Sequence, residues 1–162
     1  MDEVDLIVSA WERERPDLDV TPMAVLSRVS RLARQLDLAR KETFAAHGLE
    51  VWAFDVLSAL RRAGEPYELS PSTLVNEMMV TSGTMTNRID RLVSRGLVSR
   101  HPDPTDRRGV HVRLTTSGRT KVDTALAELL EHEHALLSNL SQAQKRKLAE
   151  LLRSLSTGFS PT

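Results

Sequence analysis

The hydrophobic period of this chain changes once, and that change limits what it can build. In the stretch LVSRHPDPTDRRGVHVRLT, Val110, Val112 and Leu114 alternate with His111, Arg113 and Thr115, the two-residue repeat of a strand with one buried face. A Pro- and Asp-rich run ending in Arg-Arg-Gly precedes them, so the stretch reads as two short strands joined by a basic-tipped loop. Elsewhere the apolar residues recur at helical spacing. Gly and Pro number seven each in 162 residues, and the long stretches that lack both favour helix.

Residues 3–14 form an amphipathic segment with Leu6, Ile7, Ala10 and Trp11 on one stripe, ended by Pro16. A second helix runs from about Pro22 to His47, with Met23, Leu26, Val29, Leu32, Ala33 and Leu36 in register and Gly48 as its stop. A third, Leu49 to Ala63, ends at Gly64. Ser70-Pro71 opens a short helix through Met78, and Thr81-Ser82 caps another that runs to Arg95 and stops at Gly96. After Ser117-Gly118 a long helix carries Val122, Leu126, Leu129, Leu130, Leu136 and Leu137. The last helix, about Ser141 to Leu155, carries Leu148, Leu151, Leu152 and Leu155. Helix, turn, helix and a hairpin with a basic tip predict a winged helix-turn-helix, a mainly α fold with a small β-hairpin wing. Its expected parts are N-terminal helices over 1–48, the winged helix-turn-helix over 49–118 and C-terminal helices over 119–162.

The 22 basic and 22 acidic residues cancel, but not locally. Residues 1–21 carry seven acids and two Arg, a net of −5, whereas residues 70–121 carry nine Lys or Arg and four acids, a net of +5. A basic middle favours a localised anion-binding surface, although a charge run is more often a solvated face. The absence of Cys excludes disulfides, thiolate metal sites and a Cys nucleophile. His47, His101, His111, His132 and His134 are dispersed without a metal-ligand spacing, and no phosphate loop, serine elbow or paired-carboxylate motif occurs. The expectation is therefore a non-enzyme without cofactor or metal. The acidic N-terminus does not resemble a signal peptide, and no run of about eighteen apolar residues occurs, so a cytoplasmic location is expected.

Placed on a helical wheel, Met85, Ile89, Leu92 and Val93 share the core side of the helix over Ser82–Arg95. Gly83, Thr84, Asn87, Arg91 and Ser94 occupy the opposite side. That face offers hydroxyls, an amide and a guanidinium, the donors suited to phosphates and base edges. The expected DNA contacts are Ser82, Gly83, Thr84, Thr86, Asn87, Arg91 and Arg95, with Arg107 and Arg108 at the wing tip for a narrow minor groove. Asp106 would hold that tip in shape by pairing with a neighbouring Arg. An ordinary solvent face would carry Glu and Lys; this one has a single acid, Asp90, and no Lys. A winged helix used for protein contact would show apolar groups there instead, and an architectural binder would hold duplex without sequence preference.

Four further residues have two readings. Asp55 sits at the border of the core face in LEVWAFDVLSAL, and a partly buried carboxylate needs a cation or several donors. Arg88 flanks the core side of its helix and is better aimed at the protein body than at a base. Arg100 ends the first wing strand, and Trp11 lies on the apolar stripe of the first helix. The structural reading makes Asp55 and Arg88 an ion pair, Arg100 a phosphate or wing contact and Trp11 a hydrophobic clasp.

The run PSTLVNEMMVTSGTMTNRIDRLVSRGLVSRHPDPTDRRGVHVRLTTSG resembles the signature of the MarR family of bacterial transcriptional regulators. Its most specific part is the succession of RLVSRGLVSR, the DPTDRRG loop and VRLTTSG. The resemblance implies a homodimer interlocked through its N- and C-terminal helices. The leucine stripes of 122–155, more than one thin domain can cover, point the same way. Two recognition helices one DNA turn apart would then read a pseudo-palindrome in double-stranded DNA. The N-terminal helix with Trp, followed by RPDLD, is similar to the urate-responsive branch of that family. The likeness implies a pocket for a small organic anion, urate first and a tricarboxylate such as trans-aconitate second, formed by Trp11, Asp55, Arg88 and Arg100. Repression, relieved by the anion, is the family-like expectation.

Overall fold

The computed structural model describes residues 1–103 and 109–159. Its elements in chain order are α1 (Glu3–Glu14), α2 (Thr21–Ala46), α3 (Val51–Arg62), β1 (Glu68–Leu69), α4 (Pro71–Met78), α5 (Ser82–Ser94), β2 (Val98–Pro102), β3 (Val110–Leu114), α6 (Thr116–Leu136) and α7 (Gln142–Ser156). The fold is a mainly helical winged helix-turn-helix with a small antiparallel sheet. The chain divides into two compact units, Met1–Asp55 and a second beginning at Val56.

In the first unit α1 is latched onto α2. Asp2 and Asp5 form a capping box at the start of α1. Arg28 of α2 donates to Asp2 at 2.9 Å and to Asp5 at 2.6 Å, and Arg31 pairs with Glu3. These bonds hold the Asp2 carboxyl below its ordinary range, chiefly through Arg28. Docked this way, α1 buries Val4, half-buries Ile7 and Val8, and leaves Leu6 exposed. The buried stripe is thus Val4, Ile7 and Val8 rather than one containing Leu6, because the acids of the first turn set the rotation of the helix. At the other end of α2 the Phe44 and Phe54 rings stack 3.9 Å apart. Between these anchors Leu26, Leu32, Leu36 and Leu38 remain exposed.

In the second unit the sheet has three strands in the order β1-β3-β2. The β2–β3 hairpin is the one that the sequence predicts; β1 is additional, since two residues are too few to register as an alternation. β1 pairs Glu68 with Arg113 and Leu69 with Val112. Tyr67, just before it, adopts φ 62, a left-handed conformation that a bulky side chain enters only under constraint. The constraint is visible: its carbonyl accepts from the Leu114 N–H at 3.0 Å, and its ring lies between the Arg61 and Arg119 guanidiniums.

The helix α6 starts at Thr116, two residues before Gly118, with Thr115 as its cap. Thr115 Oγ1 accepts from the Gly118 N–H and donates to the Gly96 carbonyl at 2.7 Å, while the Thr115 N–H reaches the Leu97 carbonyl at 3.1 Å. Gly118 therefore serves packing, not helix entry. A Cβ there would sit 2.0 Å from the Leu97 carbonyl oxygen. The buried apolar side chains of this unit include Leu57, Leu60, Leu74, Met85, Ile89, Leu92, Val112 and Val122.

Candidate nucleic-acid interface

The two helices of the helix-turn-helix are set by local chemistry. Ser70 caps α4 by accepting from the Thr73 N–H, and Pro71 occupies the first position, where a missing N–H costs nothing. Met79 ends α4 at φ 50, left-handed and 90% exposed. Thr81 caps α5: its oxygen accepts from the Thr84 N–H at 3.2 Å, and its hydroxyl donates to Thr84 Oγ1 at 2.9 Å. Thr84 can thus direct its own hydroxyl proton outward. The Thr86 hydroxyl turns back to the Ser82 carbonyl, and Ser94 does the same to Arg91, leaving both as acceptors toward solvent.

As expected, Met85, Ile89 and Leu92 are buried, and Ser82, Gly83, Thr84, Thr86, Asn87, Arg91, Ser94 and Arg95 are not. Gly83 has open space where a Cβ would stand. A helical Gly costs roughly 0.5–1 kcal/mol relative to Ala, and no described neighbour accounts for that cost. Arg88 is half-buried, in line with its flanking position on the wheel.

The wing grows from this helix through β2. Val98 pairs with Leu114, Arg100 with Val112 and His101 with His111. The Asp103 N–H closes the wing base on the Gly109 carbonyl at 2.9 Å. His111 lies between Asp103, 3.0 Å from Nε2, and Glu68, 3.4 Å from Nδ1, and Arg113 grips Glu68 at 2.7 Å. Arg113, and then His111, hold the Glu68 carboxyl below its ordinary value of 4.5 against the opposing effect of burial. This network braces all three strands, and the sequence reading misses it because it lacks β1. The signal that could have found it is the short YEL segment between the Gly64-Glu65-Pro66 and Ser70-Pro71 turns. Asp106, Arg107 and Arg108 lie outside the described residues.

Of the four expected pocket residues, Trp11 and Asp55 belong to the first unit and Arg88 and Arg100 to the second. Trp11, in the last turn of α1, is 46% exposed, and Asp55 is half-buried on α3. Arg100 does not end its strand. It stands at the centre of β2, which runs on to Pro102, and its guanidinium pairs with Asp90 of α5. Among the described residues no cluster of three or more His, Asp or Glu could hold a metal, and no helix is long and apolar enough to cross a membrane.

Residues 47–109 match a model of the MarR family. The HTH-type transcriptional regulator PecS of Dickeya dadantii is 41% identical over 150 residues, 93% of this chain and 90% of that protein. The HTH-type transcriptional repressor NicR of Pseudomonas putida is 30% identical over 142 residues, 85% of this chain and 88% of its own. Among solved structures, a mutant MarR from E. coli complexed with operator DNA superimposes with a TM-score of 0.67 at 29% identity, covering 85% of this chain and 99% of that one.

Proposed function

The chain belongs to the MarR family of transcriptional regulators, and from that premise we propose that it is a homodimeric repressor whose hold on DNA is released by a small organic anion. The observation that carries the DNA reading is the outward face of α5. Gly83, Thr84, Asn87 and Arg91 stand together there, opposite a core face on which Met85, Ile89 and Leu92 are buried and Val93 half-buried, and the open space beside Gly83 lets a phosphate backbone approach the helix. Ser82, Thr86 and Arg95 extend that surface, and Arg107 and Arg108 would reach the flanking minor groove. The operator complex of MarR and the likeness to the repressor NicR support the same reading and its sign.

Dimerisation is supported by what one chain leaves uncovered: Leu32 and Leu36 on α2, Leu126 and Leu130 on α6, and Leu148, Leu151 and Leu152 on α7. For the ligand, Arg88 and Arg100 supply guanidiniums for the anion's oxygens, Trp11 a stacking surface, and Asp55 an acceptor for its N–H groups. Urate carries both oxygens and N–H groups, so it fits this donor and acceptor set better than a tricarboxylate does.

The test is fluorescence anisotropy on a labelled duplex from the gene's own upstream region, titrated with protein and then with urate. Tight binding that urate reverses is the expected result. Reversal by trans-aconitate alone would keep the regulator and replace its ligand, and absence of specific binding would overturn the reading.

A further inference from the structure

The pairing of Arg100 with Asp90 joins two features with opposite consequences for DNA. Asp90 is the single acid between Ser82 and Arg95. It is exposed one turn beyond Asn87 and about 60° around the helix from it, on the border of the face assigned to DNA. A bare carboxylate there would stand against phosphate, where like charges repel most strongly at low salt. Arg100 covers it, from a backbone position that the β2–β3 ladder holds opposite Val112.

The pair does little for the fold. Both side chains are about half exposed, at 42% and 58%, and ion pairs so open to solvent contribute little to stability. Bracing of the sheet falls to Glu68, His111 and Arg113, whose contacts lie deeper. What remains for the Asp90–Arg100 pair is the charge of the α5 surface.

We propose that Asp90 is a positioning residue for ligand response, a negative charge kept covered by Arg100 and exposed to DNA when an organic anion takes that guanidinium. The inference rests on the preceding reading, in which Arg100 is one arm of the anion site. In the free protein the pair is neutral and α5 approaches the duplex. When the anion draws the Arg100 fork away, Asp90 is left facing phosphate and affinity falls. The release is then partly electrostatic, without a large rotation of α5.

Duplex affinity is to be measured at one low salt concentration for the wild type, Arg100→Ala, Asp90→Asn and the double variant. Arg100→Ala is expected to weaken binding at least tenfold by uncovering Asp90. Asp90→Asn should bind more tightly than the wild type, and the double variant should return to within about threefold of Asp90→Asn. A merely structural pair would leave the double variant as weak as Arg100→Ala, and that result overturns the proposal. In a second arm, calorimetry with urate should show Asp90→Asn still binding it, while the urate needed to release its duplex rises at least fivefold. Release of Asp90→Asn at the wild-type concentration contradicts the cover. A wild-type chain that binds no duplex removes the regulator reading itself and the cover with it.

Discussion

Helices α5 and α7 are of similar length and treat their apolar residues in opposite ways. In α5, Met85, Ile89 and Leu92 are buried and the remaining exposed positions are polar or Gly. In α7 no residue is buried among the described residues, and Leu148, Leu151 and Leu152 face outward, Leu151 at 55% exposure. One chain thus completes the core behind α5 and leaves the leucines of its last helix without cover. A helix complete on its inner side and polar on its outer side is ready for a polar ligand. A helix with leucines on its open side needs apolar surface from elsewhere, and in the proposed homodimer a second copy would supply it symmetrically.

The comparison breaks first at Gly118, where the completed core has no room. Gly118→Ala places a Cβ 2.0 Å from the Leu97 carbonyl oxygen, and overpacking against backbone should cost on the order of 3 kcal/mol in urea unfolding. Unchanged stability would mean that α6 and the Gly96–Leu97 turn separate freely. Leu151→Glu acts on the other side of the contrast. It should raise the dimer dissociation constant at least tenfold, about 1.4 kcal/mol, read by sedimentation equilibrium, while circular dichroism of the separated chains stays native. A dimer indifferent to this change would remove α7 from the interface.

Glu68 sharpens the contrast through pH. Its folded carboxyl titrates below the ordinary 4.5, so the stability it adds is complete above about that pH and is lost as the pH falls toward the folded value. Glu68→Gln should cost about 1.5–3 kcal/mol at pH 7, the scale of a hydrogen bond to a charged group, and should flatten the decline of stability in acid. An acid profile that stays steep in Glu68→Gln would assign it to other carboxylates. The smallest effect belongs to Met79. Its left-handed φ of 50 and 90% exposure mean that Met79→Gly relieves strain and loses little packing. A gain of about 0.5 kcal/mol is expected, because the greater freedom of Gly in the unfolded chain offsets part of the relief; a loss would show that Met79 packs on something outside the single chain.

The elements that repeat over several turns are legible in the sequence, since caps and glycine stops mark their ends: Ser70 and Thr81 as caps, Gly48, Gly64 and Gly96 at positive φ. The outward face of α5 is legible for the same reason, because burial of Met85, Ile89 and Leu92 fixes which side is free. Contacts between segments distant in the chain are not. β1 has two residues and no period of its own; the YEL segment between two turns is its one local sign, and nothing local names Arg113, 45 positions on, as the partner of Glu68. The rotation of α1 on α2 depends on ion pairs of Arg28 and Arg31 that a hydrophobic wheel does not weigh. The resemblance implies a ligand for Arg100, and only the fold shows that its guanidinium already pairs with Asp90.

The most direct test of the central claim is the salt dependence of duplex affinity for the wild type and for Gly83→Ala. If the outward face of α5 meets DNA, log Kd rises linearly with log salt, with a slope near 0.9 for each phosphate neutralised. Gly83→Ala should then bind more weakly at every salt concentration although its fold is no less stable, since the added methyl stands in space that the protein leaves open. A flat salt dependence, or a Gly83→Ala protein that holds duplex as well as the wild type, would contradict the account.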